Sequence, residues 1–158
     1  MTIKALVTAA VLSVGLALSG SPTWALSLGG SSAPTPSSSD YDAGKKAADA
    51  SDYAAAVTRL KKAVSSDPTS ADAYNLLGYS YRKLGDTDAA FENYRTALDL
   101  NRMHRGAHEY LGELYLEMDN LAEAEKLLHS LGKACTYSCG EYKELKAEVA
   151  KYKAAHGS

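Results

Sequence analysis

Cys135 and Cys139 are the only cysteines of the 158-residue chain. Two thiols at this spacing can close a disulfide, cycle between dithiol and disulfide, or present two thiolates to a soft metal ion. An even count in a protein bound for an oxidising compartment favours the disulfide, which is feasible if the three intervening residues bend suitably. A metal site would need further ligands, and no nearby histidine completes one. The sequence has no Cys-x-x-Cys-His, which excludes covalent haem. His104 and His108 also stand four apart, but His104 falls where a turn is expected and His108 at a packing position, so no metal pair is expected; His129 and His156 stand alone. There is no Gly-x-Ser-x-Gly, no phosphate-cradling glycine loop and no His-Glu-x-x-His, so no catalytic or cofactor-binding residues are expected.

The remaining chemistry is charge. Glu109, Glu113 and Glu117 form one stripe at helical spacing, and Arg82 and Lys83 belong to the preceding helix of the same kind. Like charges four apart destabilise an isolated helix by a few tenths of a kcal/mol. Such a stripe either awaits a basic partner or is a solvated face neutralised by neighbouring Arg and Lys. Overall, 17 basic against 19 acidic residues leave a net charge of −2. No basic excess recommends nucleic acid or an acidic membrane surface as partner.

The elements that carry these residues repeat. In the stretch Ala71 to His104, Tyr74, Leu77, Gly78 and Tyr81 run aromatic-x-x-Leu-Gly-x-x-Tyr, and Ala90 and Tyr94 follow as Ala-x-x-x-aromatic. One period of 34 residues onward stand Leu111, Gly112, Tyr115 and Ala124; one period back stand Ala43, Gly44, Ala47 and Ala56, with Pro68 closing that unit. Gly78 and Gly112 read as crossing points where a first helix approaches the second, since glycine in a helix interior costs roughly 1 kcal/mol against alanine and close packing has to compensate. Tyr74, Leu77, Tyr81, Leu84, Tyr94 and Leu98 recur at three- and four-residue steps as one apolar face. The spacing predicts a helix over 53–66 with Ser70 as the next N-cap, turns at Gly85-Asp86 and Asp119-Asn120, and a helix from Leu121 that ends near Gly132. A last helix from about Cys139 to Ala154 follows, with Ser138 and Glu141 as a capping box and Tyr142, Leu145, Val149 and Tyr152 as its apolar edge.

This pattern resembles the tetratricopeptide repeat (TPR) over about two thirds of the chain. The resemblance implies an all-α fold, a right-handed α-solenoid of three helix hairpins at 37–70, 71–104 and 105–138, sealed by a capping helix at 139–154. It also implies a groove lined by the first helix of each repeat. The groove positions fall on Tyr41, Lys45, Ala48 and Asp49, then Asp72, Asn75, Tyr79, Arg82 and Lys83, then Gly106, Glu109, Glu113, Leu116 and Glu117. In such a groove Glu109 and Glu113 would take cationic side chains of a partner, Arg82 an acidic group or chain terminus, and Asn75 backbone amides. Some members of the family grip a terminal carboxylate; the positions that do so hold Tyr41, Lys45, Leu76, Gly106 and Tyr110 here. Only Lys45 keeps a suitable charge, which disfavours that mode.

The N-terminal stretch reads differently. Met1 to Lys4 is positive, Ala5 to Leu18 is uncharged and apolar, and Thr23-Trp24-Ala25 offers small residues before a cut. This predicts a secretory signal peptide over 1–25 cleaved after Ala25, a periplasmic or secreted mature chain of bacterial type, and no stable membrane span once it is removed. Residues 26–39 are Ser, Gly and Pro rich and read as a flexible linker, with the helical pattern starting at Asp40. The expected function is a non-catalytic protein- or peptide-binding scaffold without cofactors. The alternative is a redox or metal-handling protein that uses Cys135 and Cys139. A chain that pairs with its own copy through the groove or through the first repeat, where Asp40, Ala43 and Ala47 replace the aromatic, leucine and tyrosine of the pattern, is a third reading.

Overall fold

The computed structural model describes residues 36–157. The expected signal peptide and residues 26–35 of the expected linker lie outside the described residues. Within them the chain forms seven helices and no strand: α1 (Pro36–Asp49), α2 (Tyr53–Ser66), α3 (Ala71–Lys83), α4 (Thr87–Leu100), α5 (Arg105–Glu117), α6 (Leu121–Ala134) and α7 (Gly140–His156). Helices pack in consecutive pairs, α1 on α2, α3 on α4 and α5 on α6. The first helices α1, α3 and α5 also meet in succession, and α7 lies against both α5 and α6. This is a helical solenoid.

Local chemistry sets the helix ends. Asp52, Asp86 and Asn120, one period apart, each accept a backbone N–H from three residues on at 3.1–3.3 Å and so cap α2, α4 and α6. Ser70 caps α3 in the same way, accepting from Ala73 N at 3.2 Å. The residue before each of the three caps takes a left-handed conformation: Ser51 (φ 61°), Gly85 (φ 81°) and Asp119 (φ 56°). Only the middle turn uses the residue type that adopts this conformation freely.

Several sequence expectations change here. The helical region starts at Pro36 rather than Asp40, because a proline at a first helical position has its φ already set and lacks only an N–H that would be unpaired anyway. Gly132 does not end α6, which runs on to Ala134; the glycine is instead a contact point where Tyr137 and Tyr142 press on the helix with no room for a Cβ. The Ser138–Glu141 capping box is absent: Ser138 Oγ donates to Cys135 O at 3.0 Å, and Cys139 stands at the N-cap of α7 without a side-chain cap bond. The turn before it passes through Thr136 and Tyr137, both left-handed, which uses Ser138 within the turn. Leu84, expected in the apolar face, sits at the C-cap of α3 and is 51% exposed.

Three linked clusters form the core. Ala56, Leu60 and Leu77 pack between the first two repeats, Ala90, Tyr94, Leu111 and Leu114 between the next two, and Ala124, Leu131, Leu145 and Val149 under α7. The small residues let this happen. A Cβ on Gly78 would stand 2.8 Å from the Tyr94 ring and 3.1 Å from Ala90 O, so α3 and α4 touch through this position. Gly112 does not serve α6 in the corresponding way. Its missing side chain makes room for Leu145 of α7, 2.6 Å from where a Cβ would be.

Candidate functional site

The first helices bring most of the expected groove residues onto one surface, in two neighbouring cavities of about 400 Å³ each. The first lies between α1 and α3 and reaches Tyr110 of α5; Tyr41, Lys45, Asn75 and Tyr79 line it, together with Tyr53, Asp49 and Asp72. The second lies between α3, α5 and α7 and holds Arg82, Glu113 and Glu117, joined by Glu148, Lys151, Tyr152 and His156 of α7. Glu109 lines neither.

Tyrosine dominates the first cavity. The Tyr53 and Tyr79 rings meet edge-on at 6.0 Å, Tyr79 and Tyr110 at 5.1 Å, and Tyr110 and Tyr94 at 6.2 Å, which makes a continuous run of four rings across four helices, α2, α3, α5 and α4. Burial pushes the Tyr79 hydroxyl pKa up and that of Tyr110 up to about 12, so both stay protonated donors. Lys83 Nζ stands 5.3 Å from the Tyr79 ring centre. Lys45 is closed on Asp49 at 2.7 Å, and Asp72 on His104 Nε2 at 2.9 Å. Asn75 Oδ1 and the Tyr94 hydroxyl are enclosed without a hydrogen-bond partner. Such groups cost stability unless something satisfies them.

Arg82 does not stand free for an acidic group of a partner. Its Nη1 donates to Glu113 Oε2 at 2.5 Å, its Nη2 to Glu117 Oε1 at 2.6 Å, and its Nε to Glu117 at 3.1 Å. The side chain is only 13% exposed. Burial alone would lower its pKa, but the hydrogen bonds to Glu117 and Glu113 outweigh this and raise it, so the guanidinium is a fixed charge tying α3 to α5. Glu113 is correspondingly engaged from within the chain. The acidic stripe is therefore neutralised in large part by the helix before it.

Glu109 is 3% exposed, against Glu144 of α7. Burial first, then the hydrogen bond and charge of Glu144, push its pKa up to about 8. A neutral, covered carboxyl cannot take the cationic side chain expected at this position. The sequence reading missed this because the helical repeat points Glu109 toward the groove and says nothing of α7 lying over it.

The histidines play structural parts. His104 Nδ1 accepts from Ala107 N at 3.0 Å and caps α5, which leaves its Nε2 to face Asp72. His108 is 6% exposed and its Nδ1 donates to His104 O; burial lowers its pKa and keeps it neutral. Among the described residues no three metal-ligating side chains come together. Cys135 and Cys139 form a disulfide with Cα atoms 5.7 Å apart, which closes the turn between α6 and α7. Among the described residues, no helix is long and apolar enough to cross a membrane.

Paired helices that meet through small residues, and first helices that share one lined surface, define a tetratricopeptide repeat solenoid. The family model described as anaphase-promoting complex, cyclosome, subunit 3 matches residues 49–131, over half of the chain, and the chain belongs to that family. Among curated protein sequences none matches it. Solved structures share the fold. The first TPR domain of Spaghetti (RPAP3), bound to an HSP90 peptide, superposes with a TM-score of 0.70 at 20% identity over 80% of this chain and 97% of that one. The TPR2B domain of yeast Sti1, in a complex with Hsp70, gives 0.71 at 16% identity over 76% and 98%. The type III secretion chaperone SycD of Yersinia enterocolitica, in complex with a peptide of the translocator YopD, gives 0.64 at 20% over 74% and 88%.

Proposed function

We propose that this chain is a non-catalytic scaffold, exported to the bacterial periplasm, that holds an extended segment of another protein against α1, α3 and α5. The observation that carries the reading is the tyrosine-lined cavity with Asn75 Oδ1 enclosed and unpaired. Tyrosine offers large contact area at low entropic cost together with a hydroxyl for hydrogen bonding, the combination that peptide-holding surfaces use. The similar domains of Spaghetti and SycD were solved with peptides bound, which supports the same use of this surface. Export is supported by the leader-like pattern of residues 1–25 and by a disulfide, which persists in oxidising compartments.

Two measurements test the reading. N-terminal sequencing of the protein recovered from the periplasm is expected to begin at Leu26; recovery in the cytoplasm with Met1 in place refutes the export reading. A photo-crosslinking residue at position 79 is expected to yield adducts with a protein partner, while the same residue at exposed Lys61 of α2 does not. Equal adducts from both positions refute the groove.

A further inference from the structure

The sharpest asymmetry on this surface is between what the first cavity offers and what it lacks. Four rings, Tyr41, Tyr53, Tyr79 and Tyr110, line it, and an aromatic face carries negative potential that attracts a cation within about 6 Å. Lys83 already takes this position over Tyr79. Lys45, the cation of the lining, is spent on Asp49, whereas Asp72 is 76% exposed at the rim and makes its contact through one oxygen, Oδ1. Lys45 against Asp49 and Asp72 leaves the lining itself with a net charge of −1, Lys83 beside Tyr79 lying outside it. A carboxylate placed here would meet two like charges, and an apolar side chain would leave the rim carboxylate of Asp72 without a charged partner from the segment. An alkylammonium or guanidinium group meets ring faces and a rim carboxylate at once.

We infer that the cavity between α1 and α3 is a site for a lysine or arginine side chain of the bound segment. This rests on the groove reading above and fixes its chemistry. It also moves the cationic preference away from the Glu109–Glu113 stripe, where burial and Arg82 have used the carboxylates, to the neighbouring tyrosines.

The test uses the purified mature protein and four pools of degenerate, fluorescently labelled seven-residue peptides whose central residue is Lys, Arg, norleucine or Glu, read by polarisation. The Lys and Arg pools are expected to bind about tenfold more tightly than the norleucine pool, the size of one desolvated cation–ring contact, with Glu the weakest. Tyr79→Leu is expected to remove the Lys-over-norleucine preference. Asp72→Asn, at the exposed rim, is expected to reduce it by several-fold while the melting temperature shows whether its contact with His104 matters to folding. If norleucine or Glu binds as tightly as Lys, this inference is overturned while the groove stands. If no pool binds, the groove reading itself falls and takes this one with it.

Discussion

Replacing Glu109 with Gln should change how the stability of this protein depends on pH. In the folded chain the carboxyl is 3% exposed beside Glu144, and its pKa is pushed from the usual 4.5 up to about 8, first by burial and then by that neighbour. Unfolded, it titrates in the ordinary range. Between the two values the folded chain holds one proton more than the unfolded one, so Glu109 contributes stability that is full below about pH 4.5 and is lost as pH rises toward 8. The slope is at most about 1.4 kcal/mol per pH unit. From pH 5 to pH 7 this comes to about 2–3 kcal/mol, and at roughly 3–5 °C per kcal/mol it corresponds to a melting temperature lower by on the order of 10 °C. Water admitted to the ionised carboxylate by an outward shift of α7 would reduce the loss, so about half of it is expected. His108 works in the opposite sense: its burial lowers its pKa, so stability from that group rises with pH up to its unfolded value near 6.5. The wild-type profile alone therefore mixes two terms, and the difference between Glu109→Gln and wild type isolates one. Thermal melts at half-unit steps from pH 4.5 to 8.5 should show the two proteins alike at the acid end and the variant more stable by about 5–10 °C at pH 8. A difference that does not vary with pH, or a variant less stable at pH 8, would refute the buried, protonated carboxyl.

Other perturbations probe the packing. Gly78→Leu puts side-chain atoms where even a Cβ stands 2.8 Å from Tyr94 and 3.1 Å from the backbone of Ala90; it should cost at least roughly 1–3 kcal/mol in urea melts, and an unchanged midpoint would mean that α3 and α4 do not nestle there. Arg82→Ala should lower stability by about 1–3 kcal/mol, because it leaves two carboxylates without their fork of donors, and Arg82→Lys should restore only part of it; a neutral effect would show the pair to be a surface ornament. Cys135→Ser with Cys139→Ser should cost about 2 kcal/mol, the entropy of a closed loop of about five residues, and reductant should produce the same loss in the wild type but none in the double variant.

The fold was legible because its grammar is periodic. Leu77, Gly78, Tyr81 and Ala90 recur at a fixed interval, and the interval alone marks the helix hairpins, although Gly112 turns its bare face to α7 where Gly78 turns it to α4. Where the interval is broken the reading slipped. The turn between α6 and α7 bends through two left-handed residues and a disulfide, so the cap expected at Ser138 went to Cys139, and Gly132 turned from a helix end into a contact. The groove was legible only as a list of positions. Spacing places Glu109, Glu113 and Arg82 on facing helices, but it does not say that Arg82 reaches 31 and 35 residues along the chain to close on Glu113 and Glu117, nor that α7 covers Glu109. Those outcomes depend on the distance between neighbouring helices, which the small residues at the crossings set and which a one-dimensional pattern does not carry. The same logic explains what is left open to a partner. Charges on neighbouring first helices can satisfy one another across the groove and do so at Arg82. Ring faces are not spent in that way: Lys83 lies over Tyr79, and the other tyrosines of the first cavity, Tyr41, Tyr53 and Tyr110, keep their attraction for a cation after the carboxylates of the second have spent theirs.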